Sequence, residues 1–64
     1  MTANELLTTD QVAEMLGLAS HTLAVWRSEG RMDLPYVKLG RSVRYLTYDV
    51  WEYLEKKRIN PTRP

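Results

Sequence analysis

The chain has 64 residues, with nine basic and eight acidic side chains, a formal net charge of +1, one histidine and no cysteine. That length gives one domain near the lower limit for a self-supporting core, and the lack of cysteine excludes disulfides, thiolate zinc sites and cysteine nucleophiles. No apolar run approaches the ~20 residues that cross a bilayer, and "MTANELLTTD" lacks the basic start and apolar block of a signal peptide, so a cytoplasmic location is expected.

Charge is distributed unevenly. Residues 1–19 carry −3, residues 20–46 carry +3 and residues 47–64 carry +1. A basic middle segment is the footprint expected of a polyanionic partner.

The first element is a helix over "LTTDQVAEMLG". Thr8 is placed as its N-cap, with Gln11 completing a capping box and Leu7 and Val12 spaced as a hydrophobic staple. Val12, Ala13 and Leu16 share the inward face, and Asp10 suits the positive end of the helix dipole. Gly17 fits the left-handed position that ends such a helix.

A second helix follows over "SHTLAVWRSEG". Ser20 is its expected N-cap, Leu23 and Trp26 its buried pair, and Gly30 its terminator. Only Leu18 and Ala19 separate Gly17 from Ser20, and so short a connection makes two helices cross steeply.

From Leu34 the apolar period changes. "YVKL" and "VRYL" flank Gly40-Arg41-Ser42 and predict a β-hairpin, with Tyr36 and Lys38 on one side and Val37 and Leu39 on the other. "TYDVWEYLEKKR" predicts a third helix, capped by Thr47, stapled by Leu46 and Trp51, and inward-facing at Val50, Trp51 and Leu54. Tyr45, Tyr48 and Tyr53 are expected to cover the small core. Lys56, Lys57 and Arg58 suit the last turn. The result is a mainly α fold with a small β-hairpin, one domain over residues 6–58, and flexible tails at 1–5 and 59–64.

"VAEMLGLASHTLAVW" matches the spacing of the DNA-binding helix-turn-helix. Ala13 lets the helices approach, Gly17 sits four residues later at the turn, and Val12, Leu16, Leu18, Leu23 and Trp26 occupy the packing positions. With "GRMDLPYVKLGRSVRYLTYDVWEYL" after it, the chain resembles the excisionase-like, MerR-like winged helix-turn-helix domains over residues 6–58. It stops where MerR regulators continue into a dimerisation helix, and so resembles the stand-alone excisionases and AlpA-type regulators of phages and mobile elements.

The resemblance implies that the second helix enters the major groove of double-stranded DNA and that the hairpin, or wing, reaches the adjacent minor groove. Ser20 and Thr22 then stand at a helix N-terminus suited to phosphate. His21, Ala24, Val25 and Ser28 are expected on the exposed face. His21 reaches a base edge or phosphate, and Ala24 or Val25 packs on a thymine methyl. Arg27 is long enough for backbone or a guanine edge. Arg41 matches the minor-groove arginine of the family, suited to a narrow A·T-rich groove. Lys38 and Arg44 flank it as phosphate contacts, and Ser42 belongs to the same DNA-facing turn. Related domains often carry long polar side chains at the positions of Ala24 and Val25, so shape reading by the wing gains weight. Asp33 would repel phosphate and is placed away from the duplex.

No nucleophile–base pair or ligand set accompanies the lone His21, so neither an enzyme nor a metal or cofactor is expected. The leading expectation is a sequence-specific DNA-binding protein controlling recombination directionality or transcription of a mobile element. Copies would bind adjacent sites cooperatively, the acidic first-helix side of one meeting the basic side of the next, with an integrase or RNA polymerase as further partner. A small regulator without a recombination role, and a protein-interaction module on the same scaffold, are the alternatives.

Overall fold

The structure is a computed structural model and describes residues 4–59. Its elements run β1 (Leu6–Thr8), α1 (Thr9–Leu16), α2 (Ser20–Ser28), β2 (Val37–Leu39), β3 (Ser42–Leu46) and α3 (Thr47–Lys57). This is a winged helix-turn-helix: three helices on a small three-stranded antiparallel sheet.

The α1 boundaries follow from local chemistry. The Gln11 backbone N–H donates to Thr8 Oγ1 at 3.1 Å, and the Thr8 N–H donates to Gln11 Oε1 at 2.8 Å, closing the capping box. At the other end Gly17 takes φ 72°, the left-handed region that costs side-chain-bearing residues about 1–2 kcal/mol. The Leu18 N–H then reaches the Ala13 carbonyl at 2.8 Å and the Gly17 N–H reaches Glu14 at 3.2 Å, the bond pattern of a Schellman ending. The same pattern ends α2, where Arg31 N–H donates to Trp26 and Gly30 N–H to Arg27.

The hairpin is supplemented by a strand that the sequence reading assigned to the approach of the first helix. β1 pairs with β3 (Leu6 opposite Leu46, Thr8 opposite Arg44), so β3 is central in the order β1-β3-β2. Pairing β1 to β3 ties the start of the chain to the wing and positions α1 over the sheet. Three residues of "LLT" carry too little alternation to signal a strand.

One face of the sheet is the floor of the core. Val12, Ala13, Leu23, Leu34, Tyr45 and Val50 are buried together, with Leu7, Leu16, Met32, Val43, Tyr53 and Leu54 packed around them. Tyr45 is the largest of these, at 1% exposure. Registers put Val37, Leu39, Arg44 and Leu46 on the opposite face, where Leu6 and Leu39 remain exposed.

Several sequence expectations are corrected. Trp51 is 49% exposed and Tyr48 60% exposed, so neither belongs to the core. The inward stripe of α3 runs instead through Val50, Tyr53 and Leu54, while Lys57 is exposed with its ammonium 5.4 Å from the Tyr53 ring centre. Val50, Tyr53 and Leu54 follow the i, i+3, i+4 rule, and Trp51 lies one residue off it. Trp26 is only half-buried, with the Arg31 guanidinium 5.5 Å from its ring centre.

Thr47 does not cap α3; its own position is already helical and the cap residue is Leu46. The Thr47 hydroxyl donates to the Glu5 carbonyl at 3.1 Å, while Asn4 Oδ1 accepts the Tyr48 backbone N–H at 2.8 Å. A distant segment therefore supplies the cap. Asn4 and Glu5, read from the sequence as tail, are thereby bonded to the start of α3. The 59–64 tail lies outside the described residues except for Ile59.

Candidate nucleic-acid interface

The expected interface residues lie on α2 and on the β2–β3 hairpin, some exposed and some half-buried. The turn through Gly17 and Leu18 brings the first turns of α1 and α2 together. Ser20 Oγ donates to Asp10 Oδ1 at 2.6 Å. Ser20 is thus inside the helix and not its N-cap; that place falls to Ala19, which makes no side-chain cap bond. The hydroxyl instead links the two helices through a charge-assisted bond to a carboxylate on α1.

Along α2, His21 and Ser28 are exposed, while Thr22, Ala24, Val25 and Arg27 are half-buried and Leu23 is fully buried. The expectation that Ala24 and Val25 would be exposed is corrected to partial burial. Neither brings a polar group. The polar side chains expected on this face are His21 and Ser28, exposed, and Thr22, half-buried.

The wing turns through two residues, Gly40 and Arg41, because Leu39 pairs with Ser42. Gly40 has φ 62° and, among the described residues, no non-glycine residue has positive φ, which is the type II′ arrangement with glycine first. Arg41 is thereby fixed at the tip, exposed. Ser42 is a strand residue and not part of the turn, as the hairpin reading had it. Lys38 opposes Val43, and Arg44 opposes Val37, so the two basic side chains lie on opposite faces of the hairpin and bracket Arg41. Lys38 is exposed; Arg44 is half-buried, its Nη1 donating to the Val43 carbonyl at 2.9 Å.

Basic groups around this surface differ in how far they are engaged. Arg31 meets Glu29 at 3.4 Å, Lys56 meets Asp33 at 3.9 Å and Arg58 meets Glu55 at 3.2 Å, all exposed pairs of small energetic weight. Among the described residues, Lys38 and Arg41 meet no carboxylate. Arg27 is different: its Nη1 donates to the Tyr45 hydroxyl at 2.9 Å and its Cζ lies 5.6 Å from the Tyr36 ring centre. Sequence reasoning missed both tyrosine partners, because neither contact is local and no spacing rule links an arginine to a tyrosine 18 residues on. Among the described residues, no group of three His, Asp or Glu side chains could hold a metal ion, and no helix is long and apolar enough to cross a membrane.

Residues 6–58 match the helix-turn-helix domain family. The chain belongs to that family. Helix-turn-helix members of this kind include excisionase- and AlpA-like small DNA-binding proteins, typically without enzymatic activity. Membership implies DNA as the partner. No curated protein and no solved structure gives a significant match. The match spans both helices of the helix-turn-helix, the wing and α3, so the surface described above lies wholly within it.

Proposed function

We propose that the protein is a sequence-specific double-stranded DNA-binding protein of excisionase type, which controls recombination directionality or transcription of a mobile element. In this reading α2 lies in the major groove and the wing in the neighbouring minor groove. His21, Thr22 and Ser28 meet base edges or phosphates, and Ala24 and Val25 meet thymine methyls. Arg41 enters a narrow A·T-rich minor groove, with Lys38, Ser42 and Arg44 on the flanking phosphates. Ser20 is held by Asp10 and acts through the orientation of the helix start.

The observation that carries the reading is the presence, inside one family-matched unit, of a second helix with exposed His21 and Ser28 and an arginine-tipped wing bracketed by two further basic side chains. A single module of this kind buries about 600–1,000 Å² on DNA. Adjacent copies therefore reinforce one another, the acidic side around Glu14 meeting the basic side of the next copy. An integrase or RNA polymerase reads the resulting array.

Salt dependence tests the proposal. Neutralising a phosphate contributes a slope of about −0.9 in log K against log salt. Lys38, Arg41 and Arg44 together give an expected slope of about −3. Binding that ignores salt, or no binding to any duplex by folded protein, overturns the reading in favour of a protein-interaction module.

A further inference from the structure

Arg27 leaves α2 one residue before its end and points toward the wing. Its guanidinium donates to the Tyr45 hydroxyl at 2.9 Å while lying 5.6 Å from the Tyr36 ring centre. Tyr45 sits on the central strand β3 with its ring buried; Tyr36 immediately precedes β2. The two rings are 6.2 Å apart and tilted by 53°, within the range of favourable aromatic pairs. One side chain of the second helix therefore touches the roots of both wing strands.

The chemistry explains why the residue is an arginine. A planar guanidinium can donate in its plane to a phenol and stack by its face on a ring at the same time. A lysine ammonium is a compact charge with rotatable donors and lacks the planar fork that holds both contacts in one fixed geometry. A hydroxyl on an otherwise apolar buried ring also needs a partner, and Arg27 provides it.

We propose that Arg27 is a positioning residue, which fixes the wing relative to the second helix and so sets the spacing between the major-groove and minor-groove parts of the site. The proposal rests on the two-groove reading above and assigns Arg27 inward, not to a phosphate. It predicts that Arg27 governs tolerance to spacing in the DNA more than the number of phosphates touched.

The experiment has a DNA-free arm and a DNA arm. Amide relaxation by NMR on wild type, Tyr45→Phe and Arg27→Lys reads the order of residues 37–44 against that of α2. Tyr45→Phe leaves the core ring in place and deletes only the hydroxyl that accepts from Arg27. Both variants are expected to stay folded and to show lowered wing order. In the DNA arm, the probe is a duplex recovered by wild type from a random pool, together with the same duplex lengthened by one base pair between its two contacted parts. Wild type discriminates against the longer duplex. Both variants bind the parent duplex roughly tenfold more weakly, lose most of that discrimination, and keep the wild-type salt slope. Unchanged wing order overturns the proposal, whatever the DNA arm gives. So does an Arg27→Lys protein that binds and discriminates like wild type, or an Arg27→Met protein whose salt slope is shallower by about one. Failure of wild type to recover any duplex is instead the failure of the DNA-binding reading, and the relaxation arm then decides the clamp alone.

Discussion

Ser20 Oγ and Asp10 Oδ1 are 2.6 Å apart, joining the first turn of α2 to the first turn of α1. The bond spans a connection that contains only three residues, 17–19, and complements the Schellman ending at Gly17 in setting the angle between the helices. It is exposed, so its worth is moderated by solvent. Ser20→Ala is expected to lower stability by about 1 kcal/mol, read as a shifted midpoint in urea denaturation. An unchanged midpoint would show that water serves Asp10 as well as the serine hydroxyl does.

Asn4 is the functional cap of α3 although it lies 44 residues away. Its Oδ1 accepts the Tyr48 N–H, and the neighbouring Glu5 carbonyl accepts the Thr47 N–H at 2.9 Å. Asn4→Ala should cost about 1 kcal/mol, the usual worth of an asparagine cap. For a domain of this size that corresponds to a melting temperature lower by roughly 4–8 °C, measurable by circular dichroism. An unaltered melting temperature would mean that water serves the Tyr48 amide equally well.

Val50 and Trp51 are neighbours on α3 with opposite fates. Val50 is fully buried and Trp51 is half exposed. Val50→Ala is therefore expected to cost about 2 kcal/mol, from lost transfer energy plus the cavity left behind. Trp51→Ala should cost less than half of that despite removing a larger side chain. Paired denaturant titrations decide the matter, and a larger loss from Trp51→Ala would place the tryptophan in the core after all.

These contrasts show which parts of the fold are legible in the sequence. The capping box of Thr8 and Gln11 and the left-handed Gly17 are read correctly because both depend on residues within one helical turn. The place of the wing turn follows in the same way from Gly40, although the structure closes it in two residues and leaves Ser42 in the strand. What eludes the sequence is non-local. Asn4 capping α3, Asp10 claiming Ser20, β1 pairing with β3 and Tyr45 accepting from Arg27 all depend on contacts made only after folding. Trp51 misleads for a different reason: hydrophobicity outweighed period, and the amphipathic Tyr53, three residues after Val50, completes the stripe in its place. At the interface, His21, Ser28, Lys38 and Arg41 stand exposed as expected, and Arg27 is the residue whose surroundings differ most.

His21 and Arg41 should fail differently when removed. His21→Ala is expected to relax preference at one major-groove position by about 1–3 kcal/mol. Arg41→Ala should weaken binding most on duplexes with A·T-rich minor grooves, where the negative potential is strongest. Competition binding against single-position duplex variants separates the two. Equal, sequence-independent losses would reduce both residues to backbone contacts.

The central claim, that α2 and the wing together read double-stranded DNA, is tested most directly by selecting bound duplexes from a random pool with the purified protein and repeating the selection with Arg41→Ala. A motif in tandem copies is expected to be enriched, with an A·T-rich part beside the element read by α2. In the Arg41→Ala selection that A·T-rich part disappears while the other element survives. An inverted repeat would replace the tandem array by a dimeric repressor or activator. No enrichment by a protein shown to be folded would contradict the account.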